Sequence, residues 1–226
     1  MTRRLLQLEV DAAGLDHVDP DEQYVVMPLH EGFVDVVLLL GLPLDLRFSV
    51  RDELIEWRHL GRYLNRTRQL VIPTGPSTSV LRHFYREAAA TFERGESLVV
   101  FPQGSILGIE TAFQRGAFRV AERFDRPVLP VVITGTHRVW EHPYSPVLRY
   151  GQPVSLRVLE PILGHNAAAR ARQIEREMKA VALRAGMAPV RHFVPERDGW
   201  WDGYAYEIDP DFPELAAAVM SRRKGG

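Results

Sequence analysis

His30 stands five residues before Asp35, at the point where an apolar run gives way to a glycine. The two residue types suit one chemistry. An imidazole titrates near neutral pH and accepts the proton of a hydroxyl that attacks a thioester carbonyl. A carboxylate beside it fixes the tautomer and stabilises the imidazolium that forms. Five residues along a regular helix place two side chains well off one face. The contact therefore requires His30 in the turn that precedes a helix carrying Asp35. Spacing alone is weak, because a chain with eight histidines gives about 0.4 such pairs by chance.

A second feature lies downstream. Phe101-Pro102-Gln103-Gly104-Ser105 follows an apolar run that reads as a buried strand. A Pro-x-Gly turn at a strand end exposes backbone amides that can hold an anion or an oxyanion; the plain alternative is a tight turn. His137 and His142, with Glu141 between them, have ligand side chains. Pro143 interrupts any helix there and the spacing matches no common zinc pattern, so no metal is expected.

The elements that must position these residues alternate. Strands are expected at Leu5 to Val10, Tyr24 to Pro28, Leu70 to Ile72, Ser97 to Phe101 and Val128 to Thr134, with a strand pair at Val147 to Tyr150 and Val154 to Leu159. Helical spacing is expected over Gly32 to Gly41, Arg51 to Tyr63, Thr78 to Arg94 and Arg115 to Phe124. A last helix opens at Asn166 and closes at Gly186, with Ile174, Met178, Val181 and Ala182 on one face. This alternation predicts a single α/β domain with a largely parallel central sheet flanked by helices. It covers residues 1–189. Residues 190–226 form an acidic, aromatic tail, read either as a strap packing Trp200 or Trp201 on the domain or as a lid or membrane-interface contact.

Composition narrows the partners. The chain has 226 residues, 46% hydrophobic and 25% charged, with a net charge of -1. That is globular composition without the basic field that nucleic acid demands. There are no cysteines, which removes disulfides and thiol catalysis. Of 28 basic residues only Lys179 and Lys224 are lysines. The most apolar stretch, Val36 to Leu44, is far short of the roughly 20 residues needed to cross a bilayer. A soluble or peripheral protein is expected.

Taken in order, these blocks resemble the glycerolipid acyltransferase family typified by 1-acylglycerol-3-phosphate acyltransferase. His30 to Asp35 resembles the family's first block, and Phe101 to Ser105 its Phe-Pro-Glu-Gly-Thr block. Phe113-Gln114-Arg115-Gly116-Ala117-Phe118 is similar to Phe-Lys-x-Gly-Ala-Phe, and Val128 to Ile133 to the fourth, proline-containing strand. Arg51 to Ile55 resembles the Lys-x-Glu-Leu run. The likeness covers roughly residues 5 to 162. It implies that His30 deprotonates a lipid hydroxyl, with Asp35 assisting. The hydroxyl then attacks an acyl thioester on coenzyme A or acyl carrier protein. It implies no bound cofactor, a peripheral place on the inner face of the cell membrane, and Phe101, Pro102, Gln103, Gly104, Ser105 and Arg115 in contact with substrate. His137 and His142 become candidates to line the acceptor pocket.

Three departures bear on the acceptor. Gln103 replaces the family's glutamate, Ile106 stands where an arginine is usual, and Ile72-Pro73-Thr74 aligns where Ile-Asp-Arg is usual. The missing arginines are the expected phosphate contacts; Arg62, Arg66 or Arg68 are candidate substitutes. Three readings follow: a lipid acceptor without a phosphomonoester, the standard lysophosphatidate reaction with relocated arginines, or a lipid-binding protein that has lost turnover.

Overall fold

The computed structural model describes residues 6–73, 78–104, 112–140 and 147–185. Seven strands form one sheet: β1 (Glu9–Ala13), β2 (Val25–Pro28), β3 (Leu46–Arg51), β4 (Leu70–Ile72), β5 (Ser97–Val99), β6 (Val128–Thr134) and β7 (Pro153–Val158), in the order β1-β7-β6-β2-β5-β3-β4. Every pairing is parallel except β6 with β7. The helices are α1 (Asp35–Leu39), α2 (Arg58–Arg66), α3 (Thr78–Glu93), α4 (Gly116–Phe124), α5 (Thr136–Val139) and α6 (Ala167–Arg184). The expected single-domain α/β architecture is the one observed.

Parallel strands are buried on both faces, and β6 is buried at all seven positions. Period-two alternation sends Val128 and Val132 to a core with α3, α4 and α6, and Leu129, Val131 and Ile133 to a second core with α1 and α5. In α6, Ala167, Ala171, Ile174, Met178 and Ala182 recur at helical spacing and are buried against the first core.

Several expectations shift. Leu46–Arg51 is a strand, missed because its alternation of Leu46, Phe48 and Val50 with Arg47 and Arg51 is short and polar on one face. The helix expected at Arg51 to Tyr63 is the end of β3, a 3-10 turn at Asp52–Ile55 and then α2. The helix expected over Gly32 to Gly41 is the five-residue α1. Residues 147–150 are not a strand, and β7 pairs with β6 and β1 instead. Ser105, Ile106, Thr74, Glu141, His142 and the tail from Val190 lie outside the described residues.

One of the two lysines has a structural place. Lys179 is fully buried in α6, and its Nζ donates to Glu175 Oε1 at 2.9 Å. The same carboxylate accepts from the Phe113 amide at 2.8 Å and from Arg172 Nη1 at 2.6 Å. This pair ties the segment after the Phe101 turn to the last helix. Removing one partner of a buried pair leaves an uncompensated charge, a loss of several kcal/mol. Arg172 remains in Lys179→Met, so the expected loss is about 3 kcal/mol, at the low end for such pairs. Urea unfolding measures it; an unchanged midpoint would show that Lys179 contributes nothing to stability.

Candidate active site

Three adjacent parallel strands, β5, β2 and β6, end at the same edge of the sheet. In open α/β sheets that carboxyl edge is where ligands bind. Strand β2 ends at Pro28 and delivers His30 two residues later. Strand β5 ends at Val99 and delivers Phe101 to Gly104. Strand β6 ends at Thr134 and delivers Thr136 and His137. The three turns meet.

His30 lies in the turn before α1, as its chemistry with Asp35 requires. Its Nδ1 is 2.7 Å from Asp35 Oδ2. The Asp35 side chain is 0% exposed and that of His30 16%. Asp35 Oδ2 also accepts from the backbone amides of Glu31 at 2.7 Å and Gly32 at 3.1 Å, and Oδ1 accepts from the Thr136 hydroxyl. A carboxylate with only oxygens to offer accepts, so the bond to His30 is a donated Nδ1–H. Nε2 has no protein partner among the described residues. The imidazole stacks on Phe101 with ring centroids 3.9 Å apart, which fixes its plane.

Gln103 is buried at 4% exposure and grips the His30 backbone from both sides. Its Oε1 accepts from the His30 amide at 3.1 Å, and its Nε2 donates to the His30 carbonyl at 3.4 Å. The backbone groups set the amide orientation, since only one way round matches donor to acceptor. An ionised glutamate keeps the first bond and sets lone pairs against the carbonyl in place of the second. The amide therefore fits this site better than the charge it replaces.

The Phe101 turn closes on itself, with the Gly104 amide donating to the Phe101 carbonyl at 3.0 Å. That amide is occupied rather than offered to an oxyanion. Pro102 packs into the buried layer and its carbonyl accepts from the Gln114 amide at 2.8 Å. Arg115 follows, exposed, immediately before α4 and so beside the site.

The other candidate arginines are not brought there. Helix α2 runs back from the carboxyl edge, so Arg66 and Arg68 sit at the opposite edge. There the Arg68 and Thr67 carbonyls accept from Arg47 at the start of β3. Arg62 is exposed midway along α2. Arg51, read from the sequence only as part of its family run, is a cation at the carboxyl end of β3, with Nη2 2.7 Å from Glu53 Oε1, and that placement was passed over. Thr136 was passed over as well. A Gly-Thr pair directly after a buried strand was its signal, legible only once β6 is known to lie beside β2.

A cavity of about 480 Å³ lies nearby, lined by Thr134, Gly135, Arg138 and Ser155 among others. It includes neither His30 nor Asp35, so the dyad rather than this hollow defines the site. Among the described residues no group of three or more His, Asp or Glu side chains converges as a metal site.

Known proteins share this arrangement of elements. The 1-acyl-sn-glycerophosphate (LPA) acyltransferase PlsC of Thermotoga maritima superposes with a TM-score of 0.63 at 21% identity, over 79% of this chain and 74% of that one. That likeness is one of fold. In sequence, a 1-acyl-sn-glycerol-3-phosphate acyltransferase of Cocos nucifera is 27% identical over 137 residues, 59% of this chain and 44% of the relative. One from Bacillus subtilis (strain 168) is 24% identical over 125 residues, 53% of this chain and 60% of the relative. The chain thus spans about half the length of the curated relatives it matches. The Acyltransferase family matches residues 9–134, more than half of the chain and all three turns' parent strands. With His30, Asp35 and the Phe101 turn inside that span, the chain belongs to the Acyltransferase family.

Proposed function

We propose that this chain is an O-acyltransferase. It moves a fatty acyl group from a thioester, on coenzyme A or acyl carrier protein, to a hydroxyl of a lipid acceptor. The observation that carries this reading is the 2.7 Å contact of His30 Nδ1 with the buried Asp35 carboxylate. It holds the ring in the tautomer whose Nε2 accepts a proton.

The step balances without a further reactant. Nε2 takes the acceptor hydroxyl proton as the oxygen attacks the thioester carbonyl carbon. The carbon–oxygen bond forms and the carbon–sulfur bond breaks. The departing thiolate takes the proton back from the imidazolium. Asp35 keeps its charge throughout and stabilises the imidazolium between the two transfers.

Family membership supports the acyl-transfer reading. The likeness to 1-acyl-sn-glycerol-3-phosphate acyltransferases favours a lysophosphatidate acceptor, and Arg51 and Arg115 at the carboxyl edge are its phosphate candidates in place of Arg62 and Arg66. The absence of the usual arginines in the Phe101 and Ile72 blocks favours a hydroxyl lipid without a phosphomonoester. The fit of Gln103 to the His30 backbone argues against a decayed, merely lipid-binding site. Among the described residues no helix is long and apolar enough to cross a membrane. Peripheral contact with the inner face of the cell membrane is proposed from the lipid nature of the acceptor.

Two variants test the reading, with free-thiol release from long-chain acyl-CoA measured against 1-acylglycerol 3-phosphate and 1-acylglycerol. His30→Ala is expected to lower kcat by at least about 10²-fold; an unchanged rate in a folded variant would rule His30 out as the base. Gln103→Glu is expected to lower kcat at least about tenfold, because one of the two backbone bonds becomes a repulsion. Activity raised by that substitution would instead identify the wild-type site as a decayed one.

A further inference from the structure

The His30–Asp35 pair has a neighbour of the same kind. Glu31 is buried, with its side chain 5% exposed, and its Oε1 lies 2.9 Å from Nδ1 of His137. The two atoms are out of line for a hydrogen bond, so neither has a partner of that kind among the described residues. What remains at this distance is a close polar contact. The second carboxylate oxygen of Glu31 lies 3.3 Å from the Thr136 hydroxyl, which also meets Asp35 Oδ1. One hydroxyl thus stands between two buried carboxylates, and each carboxylate has a histidine Nδ1 on its far side.

The backbone enforces the meeting. Gly135, with φ +93, turns the chain out of β6, and a Cβ there would lie 2.6 Å from the Pro153 carbonyl oxygen. That left-handed turn aims Thr136 at Asp35. Gly32 abuts the same residue, and a Cβ on it would lie 3.3 Å from Thr136 Oγ1.

A hydroxyl has one proton to donate. Two carboxylates compete for it, and two buried like charges this close repel. We propose that Glu31, Thr136 and His137 are positioning residues for the catalytic pair. The His137 ring, close against Oε1, holds the Glu31 carboxylate on the side away from Asp35, which leaves the Thr136 proton to Asp35 Oδ1. Asp35 is thereby held with Oδ2 toward His30, and the Nδ1–H tautomer is kept. Losing His137 alone frees Glu31 to compete for that proton. Losing the Glu31 charge as well removes the competitor. The inference rests on His30 being the base.

The test is a variant set on the full chain, with two readouts. The first is steady-state turnover with long-chain acyl-CoA and 1-acylglycerol 3-phosphate or 1-acylglycerol. The second is the imidazole nitrogen shifts of His30 in 15N-histidine-labelled, ligand-free protein, which report its tautomer independently of activity. His137→Gln and Thr136→Val are expected to lower kcat at least about tenfold, with KM for both substrates within about twofold. Both are expected to mix the His30 tautomers. Thr136→Ser, which keeps the hydroxyl, is expected to stay within about threefold of wild type. The double variant Glu31→Gln/His137→Gln is expected to recover most of the His137→Gln loss and the single tautomer.

A double variant no better than His137→Gln overturns the proposal, as does an unmixed His30 tautomer in both single variants. Should Thr136→Val fail to fold, His137→Gln and the double variant still decide. The acyl-transfer reading fails separately, by full activity in His30→Ala, and the nitrogen shifts remain interpretable in that event.

Discussion

A carboxylate with no access to water has to find its hydrogen bonds inside the protein. Asp35 finds four: an imidazole N–H, two backbone amides and a hydroxyl. Burying that charge without them costs several kcal/mol. The amides are those of Glu31 and Gly32, which forces the chain to wrap tightly round the start of α1. The hydroxyl comes from the turn after β6, which forces β6 to lie beside β2. Much of the local geometry follows from satisfying one side chain.

The same economy explains the place of Gln103. His30 is held by its backbone as well as by its ring. The ring is fixed by Asp35 on one edge and by Phe101 on its face. The backbone is fixed by an amide that both accepts and donates. A neutral side chain performs that double task where a carboxylate performs half of it. Gln103 thus belongs to the support of His30.

Much of this was legible in the sequence. The alternation of apolar runs and helical spacing predicted a parallel α/β sheet, and the chemistry of His30 with Asp35 predicted a turn rather than a helix at His30. Elements with a strong period, such as β6 and α6, were read nearly to the residue. Strand β3 was not, because Arg47, Ser49 and Arg51 dilute its alternation. Arg66 and Arg68 were read as near the site because they are close in sequence to Ile72; α2 carries them to the other edge. Thr136 and the role of Glu31 were illegible for a different reason. Their meaning depends on strand order, and strand order is a property of the assembled sheet.

That dependence has a consequence for how the protein acquires its activity. Asp35 and Thr136 are 101 residues apart in the chain, and His30 and Gln103 are 73 apart. Contacts so distant are slow to form, since loop closure must be completed before they are rewarded. A slip of one residue between β2 and β6 would also turn their side chains to the wrong layer. During refolding, catalysis should therefore be among the last properties to return, after helix content and after the cores have closed.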